Sequence, residues 1–71
     1  MTKKERETLN ITLWKLARRY VRAENNSENE EYLDGYYSAM TTVFNSLDTK
    51  ISLTDLLVYI KRGMSYEEIF K

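Results

Sequence analysis

The chain contains no cysteine, no histidine and no proline, and only two glycines among its 71 residues. Without cysteine there is neither a disulfide nor a thiolate metal site. With histidine missing as well, the thiol nucleophile and the neutral-pH base on which most enzymes rely are both absent. The only glycines are Gly35 and Gly63, so there is no glycine-rich phosphate loop and no calcium loop of the D-x-D-x-D-G type. No apolar run reaches the roughly 20 residues that span a bilayer. Met1 to Glu7 is charged and leads into no apolar secretory core, so a cytoplasmic protein is expected. In that setting the glycosylation patterns at Asn10 and Asn25 have no use.

What is present is a strongly helical pattern. Leu9, Leu13, Leu16, Ala17 and Tyr20 form one stripe at helical spacing, with Trp14 and Val21 at its edge. Strict alternation fails at Leu16-Ala17 and Tyr20-Val21, which excludes a strand. A first helix over 8–23 is expected, behind a flexible polar terminus over 1–7. Its opposite side gathers Lys15, Arg18, Arg19 and Arg22 into a basic stripe. Glu24-Asn25-Asn26 then reads as a turn, because asparagine tolerates the left-handed conformation that ends helices. So short a link implies an antiparallel helical hairpin.

The second helix, expected over 27–47, reads as the element around which the fold is organised. Ser27 and Glu30 match an S-x-x-E capping box. On a helical wheel Tyr32, Leu33, Tyr36, Tyr37, Met40, Val43, Phe44 and Leu47 fill one broad arc. Gly35, Ala39, Thr42 and Ser46 form a row of small residues suited to close packing, against helix three or a second copy of the chain. Gly35 inside a helix costs about 1 kcal/mol relative to alanine, which argues for such a packing reason. The remaining arc is polar.

Two later stretches share one grammar. Ile51-Ser52-Leu53-Thr54-Asp55-Leu56 and Met64-Ser65-Tyr66-Glu67-Glu68-Ile69 each place a capping serine before an acid at N3, with apolar residues on both sides. They open a third helix over 53–62, closed by Gly63, and a short fourth over 66–71. The expected fold is therefore all-α: a small three-helix bundle, with a short C-terminal helix, forming a single domain over 8–71. A chain of this size has a thin stability margin, and the apolar arc of the second helix exceeds what a bundle needs. Both features favour a homodimer.

The net charge of zero conceals segregation. Residues 1–23 carry Lys3, Lys4, Arg6, Lys15, Arg18, Arg19 and Arg22 against only Glu5 and Glu7. Residues 24–48 carry Glu24, Glu28, Glu30, Glu31, Asp34 and Asp48 with no basic residue. Across the hairpin, Arg22 is expected to reach Glu28, and Arg18 and Arg19 to reach Glu31 or Asp34.

Function is read from these features. The carboxylate pairs Glu30/Glu31 and Glu67/Glu68 lie in first helical turns, where acids cap helices and complement the dipole. No enzyme, cofactor or metal is expected. Most of the six tyrosines are expected to pack in the core, and those left exposed favour a protein partner over a nucleic acid, because aromatic residues are enriched at interfaces. The candidate partner-binding residues are Tyr32, Tyr36, Tyr37, Trp14 and Tyr66. The alternative is nucleic acid, held by Lys15, Arg18, Arg19 and Arg22. Ile60 to Ile69 resembles the turn of a helix-turn-helix motif, which implies a DNA-binding role. However, the helix after the turn has barely two turns and opens with acids, where bases would be read. In composition the chain resembles the short cysteine-free proteins of low-GC bacteria, their phages and mobile elements, which implies a regulatory role.

Overall fold

A computed structural model describes residues 1–47 and 49–71; Asp48, part of the acidic segment above, lies outside the described residues. Among the described residues four helices follow one another: α1 (Lys3–Asn25), α2 (Glu30–Ser46), α3 (Leu53–Lys61) and α4 (Tyr66–Phe70). The all-α bundle expected from the sequence is what forms. The organising element is different: α2, α3 and α4 all pack against α1. The reason is length. At 23 residues, about 34 Å, α1 is nearly as long as the molecule, which measures 38 × 25 × 16 Å.

The helix starts show which local signals act. α1 begins at Lys3, ahead of the expected start at Thr8. Thr2 accepts from the Glu5 amide at 3.1 Å, and the Glu5 carboxylate accepts from the Thr2 amide at 3.3 Å. That reciprocal capping box carries the helix into the polar terminus. Ser52 and Ser65 cap α3 and α4 as expected, accepting from the Asp55 amide at 3.1 Å and the Glu68 amide at 3.3 Å. Glu68 closes the box by accepting from the Ser65 amide at 3.0 Å. These hydrogen bonds hold the Glu68 carboxyl below its ordinary value. Its folded pKa is lowered, so its contribution exists at neutral pH and disappears as pH falls through the acid range. Acidification is therefore expected to fray α4 before the other helices, an order readable from amide exchange rates along the chain.

The start of α2 corrects the sequence reading. Ser27 is not its cap: Asn29 is, accepting from the Glu31 amide at 2.7 Å. Ser27 instead ends α1. Its backbone is left-handed, at φ 57°, with its amide donating to the Glu24 carbonyl and the Glu28 amide donating to the Ala23 carbonyl. The same double bond pattern ends α3, where Gly63 stands at φ 82° and the Met64 amide donates to the Tyr59 carbonyl. Both ends are Schellman motifs, and serine occupies the position that glycine fills more easily. Ser27→Gly is expected to stabilise the fold by up to about 1 kcal/mol, measured as a shift in urea midpoint.

The core lies where three helices meet. α1 supplies Leu13, Ala17 and Val21, α2 supplies Met40 and Phe44, and α3 supplies Leu53, Leu56 and Leu57. Ile69 and Phe70 of α4 pack on its edge. The hairpin is held at mid-height by the Tyr36 hydroxyl, which donates to the Leu16 carbonyl at 2.8 Å.

Candidate functional site

The five aromatic residues expected to form one partner surface divide between two places. Tyr36 and Tyr37 of α2 both pack on Tyr20 of α1, with ring centroids 5.8 and 5.7 Å away, and Tyr32 lies 6.0 Å from Tyr36. Trp14 instead sits between α1 and α4, edge-on to Tyr66 at 5.7 Å, and Tyr66 continues to Phe70 at 4.9 Å. Arg18 covers the Trp14 ring at 4.6 Å from its centroid. The wheel explains the division. Trp14 and Tyr20 stand about 120° apart around α1, so each meets a different neighbour.

Most of these rings hold the fold together. Burial, the largest cause, raises the pKa of Tyr20, Tyr36 and Tyr66. Nearby acids add to it at Tyr20 (Glu24) and Tyr66 (Glu7). A folded pKa above the unfolded value means that stability is present below about pH 10 and is lost as pH rises past it. Alkaline unfolding is therefore expected to coincide with ionisation of these three tyrosines, followed by ultraviolet difference absorbance. Tyr32 is the most exposed ring, at 53%, followed by Tyr37 at 39%.

The row Gly35, Ala39, Thr42 and Ser46 does not meet helix three. All four residues are exposed, and a Cβ built on Gly35 would have nothing within 4 Å. Helix three lies on the other side of α2, against Phe44 and Met40. Gly35→Ala is thus expected to raise stability by about 0.5–1 kcal/mol, read from thermal unfolding at low protein concentration.

This bare side of α2 is unusual for a solvent face, because it carries no charge. It runs through Tyr32, Gly35, Tyr36, Ala39, Thr42, Val43 and Ser46. The hydroxyls do not change its character. Thr42 donates to the Ser38 carbonyl at 3.0 Å and Ser46 to the Thr42 carbonyl at 2.7 Å, so both are satisfied within the helix. Next to it, between α1 and α2, lies an open groove of about 370 Å³ lined by Leu16, Arg19, Tyr36, Ala39, Met40 and Val43. Periodicity could place these residues on one arc but not show that the arc stays uncovered.

The charged groups flank this strip instead of crossing it. Among the described residues, Lys15, Arg18, Arg19 and Arg22 form no ion pair, and the expected bridges to Glu28, Glu31 and Asp34 are absent. Two ion pairs between described residues run elsewhere: Lys61 to Glu24 at 3.1 Å and Lys71 to Glu7 at 3.9 Å. The basic stripe points outward from α1 and the acids point outward from α2, so within one chain they do not meet. Glu30, Glu31, Glu67 and Glu68 are all exposed at their helix starts. No helix among the described residues is long and apolar enough to cross a membrane. Among known proteins, no family model, curated protein or solved structure matches this chain.

Proposed function

We propose that this chain is a non-enzymatic helical interaction module, an adaptor, inhibitor or regulator working in the cytoplasm, and that it binds protein through the α1/α2 face. One observation carries the reading: an exposed helix face free of charge, continuous with an apolar groove and edged by a half-exposed tyrosine. Solvated helix faces ordinarily carry charged and polar side chains, and the polar arc of this same helix, with Glu30, Glu31 and Asp34, does so. Tyr32, Tyr36 and the groove residues form the contact surface. Trp14 and Tyr66 take structural roles, and Tyr37 borders the α2–α3 side.

The test is capture of a protein from a lysate of the source organism, comparing the wild type with two variants after nuclease treatment. Ala39→Glu places a charge in the middle of the face at an exposed position. It is expected to abolish capture, whereas Lys15→Ala/Arg18→Ala leaves it intact.

A second reading follows from the unpaired cations. Lys15, Arg18 and Arg22 present an unneutralised stripe to solvent, which suits a nucleic-acid backbone. Under this reading, binding to arbitrary duplex DNA weakens steeply with salt and is lost in Lys15→Ala/Arg18→Ala, with Ala39→Glu unaffected.

A further inference from the structure

We infer that the occupant of the α1/α2 groove is a second copy of this chain, in a two-fold dimer whose axis runs along the hairpin; this rests on the reading of that face as a protein-binding surface. Three observations support it. The first is area. The chain exposes 5155 Å², whereas a compact monomer of this mass exposes about 4,700 Å². Two copies together thus carry a surplus of about 900 Å², close to the roughly 1,000 Å² of a small specific interface. The second is shape. The molecule is only 16 Å thick along its shortest axis, so one hairpin laid on another completes a four-helix layer pair.

The third is charge, and it selects the arrangement. Tyr20 packs on Tyr37, which sets the height of α1 against α2. At that register Arg19 and Arg22 lie within about one helical turn, 5–6 Å, of the heights of Asp34 and Glu31. In one chain they face outward on different helices. A two-fold axis parallel to the hairpin preserves heights and lays α1 of each copy antiparallel against α2 of the other. The Arg19/Arg22 edge then borders the partner's acidic Glu31/Asp34 edge, twice over by symmetry. An axis across the hairpin would instead set basic α1 against basic α1, which like-charge repulsion disfavours. The uncharged strip between these edges is the dry centre of the interface. A dimer placed this way also supplies the stability that a small, disulfide-free chain lacks.

Sedimentation equilibrium tests this with six proteins of verified helicity. The wild type is expected to dimerise, and Ala39→Glu to be monomeric. Arg19→Glu/Arg22→Glu and Glu31→Lys/Asp34→Lys should each weaken association at least about tenfold, and their equimolar mixture should restore it as a heterodimer. A mixture carrying Ala39→Glu in both partners should not associate, which separates this pairing from general charge attraction. A wild type that stays monomeric up to about 0.5 mM overturns the inference. So does a dimer indifferent to Ala39→Glu. If the wild type is monomeric but Ala39→Glu still abolishes capture of another protein, the dimer falls while the interaction reading stands. If that variant changes neither assembly nor capture, both fall.

Discussion

Leu56→Ala is expected to leave much of the protein unfolded at room temperature. Leu56 has no solvent exposure and sits where α3 meets α1 and α2. Removing its isobutyl group loses the transfer free energy of the buried atoms and leaves a cavity that the surrounding helices fill only in part. Such a change costs about 3–5 kcal/mol. A disulfide-free domain of this size has a total margin of about the same magnitude. The two numbers are close enough that one truncation consumes the margin. Leu13, 1% exposed, should respond alike. Val58→Ala is the control: Val58 lies on the same α3 but is 39% exposed, so the change should stay within about 0.5 kcal/mol. Urea unfolding followed by circular dichroism measures all three. A Leu56→Ala protein as stable as the Val58→Ala control would show that the α3 contact does not hold the fold together.

Ala17→Asp should be as damaging, and its cost should depend on pH. Ala17 has no exposed surface and lies in the apolar cluster of α1, where no buried polar or charged side chain stands among the described residues. A carboxylate there would lose its hydration without gaining a partner, so burial pushes its pKa up in the folded state. A rise of three units or more corresponds to about 4 kcal/mol or more at neutral pH. The sign follows from linkage. The unfolded carboxyl ionises near its ordinary value, while the folded one does not. The ionisation penalty is thus absent below about pH 4 and grows as pH rises towards the folded pKa. Measured against the wild type at each pH, the variant should regain stability on acidification. Ala17→Asn, of similar size but without a titrating group, should show a deficit that does not change with pH. If the two variants tracked each other at every pH, the site would be wet enough to solvate a charge, and the description of the core would be wrong.

These two changes bear on the fold, while the functional readings rest on what the fold leaves uncovered. The paired charge reversals and Ala39→Glu are exposed substitutions that spare the core. Loss of association in those proteins would report on the surface alone.

The sequence by itself determined the four helices and most of their ends. Apolar spacing defined α1 and α2, the serine caps at Ser52 and Ser65 began α3 and α4, and Gly63 closed α3. These signals were legible because each acts within one or two helical turns. Even among local signals, two competed at one place. Ser27 satisfies a capping pattern by composition but occupies the left-handed end of α1, since Asn29 caps α2 just as well and the bonds to Glu24 and Ala23 form only with the chain reversed at Ser27. Tertiary structure alone decided the rest. Periodicity placed two apolar edges on α1 and more apolar arc on α2 than a bundle uses, without showing which edge each neighbour would take. Once α3 and α4 settled on the long first helix, none of the described helices was left to cover the far side of α2. The arginines were separated from the acids for the same reason: two helices packed by their apolar edges turn their charged edges away from each other. The bare face and its flanking charges follow from which surfaces the packing uses up, and that is a property of the assembled helices.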